Sequence, residues 1–344
     1  MAIPSSVQHV RGATVPRHPP VSVDWGLAYE ALIGLALFVG EEAEQSYEVG
    51  EAWFKSVRRK ASPGLRQAAK QLFGKQGYPI VGLAGLAQEA GARRVSALVA
   101  RIRRDRSDRV KRAMLHADPA LRDAILRGEE AAKREYLKGR KPGERELAKR
   151  LLEANPSDLA TATADLIERW DSEIFSAIGP PLESDLEASW QTAARLSRQL
   201  PPDRLILKVT KGVEYRPEPW VQSIVLTPSI LNRPWVDITD HDGIAHIFYP
   251  ASPDASTPDA ELVEVYKALG DETRLRILRL LSTGVTSLSD LAEKLGLAKS
   301  TVHGHMVILR TAGLTRSVVG GDGKGYVLND RPDLNSLLDT FLKS

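Results

Sequence analysis

From residue 261 onward, apolar positions fall on helical spacing and are interrupted at short intervals. Leu262, Val265, Tyr266 and Leu269 recur at i, i+3, i+4 and i+7, which predicts a first helix over 261–269. Gly270-Asp271 ends it, and Asp271 is placed to cap a second helix over 273–282, with Leu275, Leu278 and Leu281 inward. Ser287 and Asp290 have capping-box spacing ahead of a third helix, Leu288–Leu295, whose inward face is Leu288, Leu291, Ala292 and Leu295. Gly296 follows, where a helix end favours a left-handed residue. In the next segment Val302, Met306 and Leu309 point to the core, leaving Lys299, Ser300, Thr301, His303 and Val307 on the opposite face. Two short helices joined by a glycine turn, the second with a small polar N-terminal face, are a helix-turn-helix whose second helix fits the major groove of DNA. Thr315–Val319 and Gly325–Leu328 then read as a hairpin around the loop 320–324. Its tip, flanked by Arg316 and Lys324, is shaped to follow a phosphate backbone. A last helix is predicted over 332–342, with Leu334, Leu337, Leu338, Phe341 and Leu342 on one side.

The upstream pattern differs. From 23 to 200, segments rich in Ala, Leu, Glu and Arg alternate with breaks such as Ser62-Pro63-Gly64, Lys141-Pro142-Gly143 and Gly179-Pro180-Pro181. Asn155-Pro156-Ser157-Asp158 reads as a helix start. Between 202 and 250, the runs 205–209, 221–226 and 244–249 are β-branched or aromatic and read as strands. Strands after helices, without alternation, predict an α+β fold, mostly α: a helical N-terminal region with a small antiparallel sheet, plus the C-terminal winged helix-turn-helix domain. Three prolines among small polar residues at 250–259 mark 251–258 as a linker. The expected plan is a disordered lead over 1–22, a sensor or oligomerisation domain over 23–250, the linker, and a DNA-binding domain over 259–344.

Composition narrows the function. With 344 residues and 42% hydrophobic content, two domains with real cores are expected. The net charge of +3 is weak evidence for a polyanionic partner, and residues 259–344 carry eleven basic and eleven acidic side chains, so a DNA-binding surface must segregate its charges. Absence of cysteine excludes disulfides and thiolate sites and suits a reducing cytoplasm. The apolar run 31–39 is shorter than the roughly 20 residues of a membrane span, so no membrane partner is expected. No Walker, G-x-S-x-G or H-E-x-x-H motif is present, so the chain is read as a non-enzyme without cofactor or resident metal. His303 and His305 are i, i+2 on a helix and point apart, while His241 and His246 beside Asp237, Asp240 and Asp242 read as a turn ahead of a metal site. Nine basic residues between Arg93 and Arg112 form a solvated face more readily than a second nucleic-acid contact. All six tryptophans precede the linker, as core residues or as the lining of an effector pocket.

The segments 268–278, Leu291-Ala292, Ser300-Thr301-Val302, His305-Met306 and 309–314 resemble an ArsR-type winged-helix regulator. The resemblance implies a homodimer joined through the first and last helices, binding to double-stranded DNA, and repression as output. It implies DNA contacts from Lys299, Ser300, Thr301, His303, Gly304, Val307 and Arg310, with Arg316 and Lys324 on the wing. The third helix has no cysteine and the last has no histidine, so the metal sensing of the founding members is not carried over. The upstream domain is then expected to sense a small-molecule effector. An upstream enzyme, or a purely structural oligomerisation module, are the rival readings.

Overall fold

Helix α1 (Leu27–Val39) is apolar nearly all round and buried nearly all round, as a central core helix must be. It accounts for the apolar run 31–39. In the computed structural model, which describes residues 18–40, 44–105, 108–251, 258–321, 324–329, 338–339 and 341–342, the upstream helices wrap this axis. Helix α2 (Pro156–Trp170) packs beside it and starts where the sequence predicts, with the Asn155 side chain accepting from the Ser157 and Asp158 amides at 2.9 and 3.2 Å. Trp170, fully buried, stacks on Phe38 at 5.4 Å.

The run 205–209 is not a strand. It lies in helix α3 (Pro202–Val209), started by Pro202 and Asp203 in the first turn, with Leu205 and Ile206 buried. The proline's fixed φ and the acid at the helix N-terminus outweigh the β preference of the apolar run. The upstream sheet is mixed rather than antiparallel. Its order is β1 (Val21–Val23), β3 (Ser223–Ser229), β5 (Ile244–Pro250), β4 (Asp237–His241), with β1 and β5 both parallel to β3 and only β4–β5 antiparallel. Two of its strands escape a strand-by-strand reading. β1 begins in the expected lead and ends in the next domain, and β4 covers acidic residues that read as a turn. β4 and β5 are joined at Asp242-Gly243, both at positive φ (46° and 81°), which is the signature of a tight hairpin turn.

Downstream, helix α4 (Pro258–Leu269), α5 (Glu272–Ser282), α6 (Leu288–Leu295) and α7 (Lys299–Thr311) enclose a separate core. Asp271 accepts from the Arg274 amide at 2.9 Å, Ser287 Oγ from Asp290 at 3.0 Å, and Gly296 is left-handed at φ 67°. Tyr266 and Leu275 do not face inward as their spacing suggested; both are about half exposed, at 47% and 49%. Strands β6 (Thr315–Val319) and β7 (Gly325–Leu328) form the wing. Most of the expected linker and most of the expected last helix lie outside the described residues.

The two halves share a sheet. β2 (Val213–Tyr215), from the upstream domain, pairs in parallel with wing strand β6, giving the order β2-β6-β7. The Ser317 amide donates to Gly212 O at 2.9 Å and the Arg216 amide to Val319 O at 2.8 Å. Gly320, at φ 86°, lies so close to Arg216 that a Cβ there would sit 2.2 Å from its carbonyl oxygen. This glycine serves the contact between domains.

Candidate nucleic-acid interface

Helix α7 is rolled into place by Val302, Met306 and Leu309, all with no exposed surface. That roll turns Ser300, His303, Gly304 and Val307 away from the downstream core, onto one face. Lys299, Ser300 and Thr301 at the N-terminal end are exposed. The residues expected to read DNA are therefore gathered together, and the small tip they form is the size that enters a major groove.

The upstream domain lies on the same face. Its leading residue is Trp235, whose ring centroid is 4.8 Å from that of His303. Trp235 is held from behind: Nε1 donates to Ser46 O at 3.2 Å, and its ring lies 6.2 Å from Tyr47. To one side a cleft of about 420 Å³ separates Gln45 and Glu48 from Ser300, Thr301 and Gly304. To the other a second cleft of about 420 Å³ lies between Val236 and Ile238 and the wing residue Lys324, with Val307 in its wall. Val307 is buried and Trp235 lies against His303, which keeps exposed surface, so a groove about 12 Å wide brought to this face would meet the indole.

Arg310 is the sharpest departure from expectation. Its side chain is buried, 3% exposed, and its guanidinium donates to the backbone carbonyls of Thr210, of Lys211 at 3.1 Å and of Pro234 at 3.0 Å. Burial draws its pKa down to about 10, so it is still charged at neutral pH. In this arrangement its donors face the upstream domain and not phosphate. Arg316 lies 3.7 Å from Glu214, a second wing cation turned to the upstream domain. Lys299 and Lys324 are exposed. Partial desolvation at a side chain that keeps exposed surface, then the Arg310 charge, lower the pKa of His303, so its imidazole is neutral near pH 7.

Sequence reasoning missed Trp235, Thr210 and Pro234 as partners of this face. One signal was available. His303, Val307 and Arg310 are i, i+4, i+7, so an apolar valine sits mid-row on the supposed DNA face, where a protein partner explains it better than a phosphate.

The other candidates resolve into internal structure. In the basic run, Arg101 bonds Glu89 and Asp105, Arg103 bonds Asp165 and Glu168, Arg109 bonds Glu89, and Lys111 Nζ donates to the Leu152 and Ala154 carbonyls at 2.8 and 2.9 Å. Among the described residues no group of three or more His, Asp or Glu side chains is arranged to hold a metal ion. His241 and His246 are buried side by side, with pKa values lowered by burial. No described helix is long and apolar enough to cross a membrane.

Comparison with known proteins agrees with the helix-turn-helix geometry of residues 271–317. Residues 271–317 match the family described as bacterial regulatory protein, arsR family. The chain is 39% identical over 72 residues to the HTH-type transcriptional regulator CmtR of Mycobacterium bovis and of Mycobacterium tuberculosis. The match covers 21% of this chain and 61% of those relatives. No solved structure matches the chain. The capped helices, the glycine turn, the roll of α7 and the β6–β7 wing, together with the matched residues, make the C-terminal domain an ArsR-type winged helix-turn-helix.

Proposed function

We propose that this chain is a DNA-binding transcriptional regulator whose upstream domain gates the reading head. The observation that carries it is the docking of Trp235 and of the Thr210, Lys211 and Pro234 carbonyls onto the face of α7 built to read DNA. The arrangement described is the closed form. In the open form Ser300, Thr301, His303, Gly304 and Val307 meet base edges, and Lys299, Arg310, Arg316 and Lys324 meet phosphates. Arg310 and Arg316 exchange one set of oxygen acceptors for another, which suits a two-state switch.

The working unit is a homodimer. Val263 and Tyr266 on α4 are 45% and 47% exposed, an apolar stripe left for the seam that the family places there. The output is repression by occupying a promoter, relieved when a small-molecule effector favours the closed form. Zinc, cadmium and arsenite are not its effectors: α6 carries no cysteine and the last helix no histidine. The protein works in the cytoplasm. Binding-site selection from genomic fragments, with the full chain and with Trp235→Ala, tests this. An enriched sequence with half-sites about 10 base pairs apart is expected. Failure of both proteins to enrich any sequence would refute the reading.

A further inference from the structure

A small cavity lies directly behind the gate. It measures about 120 Å³, between α1, residues 77–81, Tyr47 and strand β4. Ile33, Leu37, Val81 and Ile238 supply apolar wall, and Asn232 supplies the amide. Asn232 is 2% exposed, and its Nδ2 has no hydrogen-bond partner among the described residues. Buried amide donors are nearly always paired, so this one calls for an acceptor inside the cavity. The lining includes no lysine or arginine. Its one imidazole, His116, is held neutral because burial lowers its pKa, while its Nε2 lies 3.1 Å from Tyr78 O. The one carboxylate of the lining is Asp237.

We infer that this cavity, lined by Asn232 and Tyr47 behind Trp235, is the effector site, and that it takes an uncharged, ring-sized molecule bearing one hydroxyl or carbonyl oxygen. The size follows from volume. A cavity of about 150 Å³ accommodates benzene, so 120 Å³, walled by Tyr47, Asn232 and Thr239 as well as by aliphatic groups, takes a single polar-substituted ring and little more. The oxygen accepts from Asn232 Nδ2, and the ring packs on the aliphatic walls.

The site is wired to the gate. Asn232 O accepts from the Trp235 amide at 2.8 Å, Tyr47 lies against the Trp235 ring, and Trp235 touches His303 of α7. Tyr47 and Asn232 are in place to line the cavity while Trp235 is docked. A molecule bound there favours the closed form and lowers affinity for DNA, which is how an inducer relieves a repressor. The inference rests on the gating reading.

Phenol is the probe and benzoate its anionic control, both with the full chain. Phenol is expected to raise the melting temperature, change tryptophan emission and weaken DNA binding several-fold; benzoate is expected to do none of these. Ala36→Leu and Val81→Ile each reduce the cavity. Loss of the phenol response in whichever of them retains the native circular dichroism spectrum supports the site. Equal phenol binding by a folded cavity-filled variant, binding of benzoate as tight as phenol, or no phenol binding at all overturns it. The two readings fail separately. Phenol that binds at the cavity without altering DNA affinity sinks the gate and leaves the site. If phenol does not bind while Trp235→Ala still tightens DNA binding, the gate stands without this site.

Discussion

Trp235→Ala should make the full chain bind DNA more tightly, although the residue belongs to the domain that does not read DNA. Trp235 contacts α7 only in the closed form, so its truncation removes free energy from that form alone. An aromatic pair such as Trp235–His303 is worth about 1 kcal/mol beyond the area it covers. Loss of the ring's remaining apolar contact at the seam adds about as much again. A total near 2 kcal/mol shifts the closed-to-open ratio by about 30-fold, and apparent affinity rises by up to that factor where the closed form dominates. Fluorescence anisotropy with a labelled fragment from the selection experiment reads the change, at one fixed salt concentration because affinity for DNA depends steeply on salt. The variant's circular dichroism and urea midpoint must first show that the loss of the Ser46 and Tyr47 contacts has not unfolded the upstream domain. Unchanged or weaker binding by a folded Trp235→Ala protein would refute the gate.

Other outcomes are equally specific. Thr301→Ala should cost on the order of 1–3 kcal/mol on the selected site and much less on random DNA, by competition binding; equal losses on both would make Thr301 a positioning residue. Lys324→Ala should weaken all sequences alike and lower the magnitude of the salt slope by about one per wing, and an unchanged slope rules the wing out of backbone contact. Residues 259–344 alone should bind the same fragments more tightly than the full chain, measured side by side, whereas weaker binding would mean that the upstream domain supports the reader. Glu30 is buried, and its Oε1 accepts from the Ile230 and Leu231 amides at 2.9 and 2.6 Å, yet burial raises its pKa to about 7. The unfolded chain ionises it near pH 4.5, so its effect on stability is unfavourable as pH rises from about 4.5 to 7 and constant above. Glu30→Gln should therefore gain about 3 kcal/mol relative to the parent between pH 5 and 8, by urea titration; a pH-independent difference would show that Glu30 does not titrate there.

The downstream domain was legible because its signals are local. Asp271 and Ser287 cap amides three residues ahead, Gly296 gives its own amide to carbonyls three and four residues back, and the Val302, Met306, Leu309 period is set by helix geometry alone. The upstream sheet was less so. A parallel pair such as β1–β3 joins residues some 200 apart, with no turn to announce it. The run 205–209 was misassigned because composition argued for a strand while the controlling residues, Pro202 and Asp203, lay just outside it. Arg310 illustrates a deeper limit. A guanidinium donates as well to a carbonyl as to a phosphate, so residue type alone named the chemistry of its partner and not which partner it was. The composition of the candidate reading face was visible in sequence; what lies against it was not.

The strand β2 laid along the wing has a consequence for the opened molecule. In the closed form, the outer margin of β6 is hydrogen-bonded along Ser317 to Val319. Undocking strips that margin and leaves a row of bare amides and carbonyls, the kind of edge onto which another chain can add a strand. If two copies pair, β2 of one has the register to join β6 of the other, since it is the strand that pairs there within one chain. A bared β6 margin would then accept β2 from either chain, so the three residues that join the two domains of one chain are also the ones through which two chains could exchange a strand.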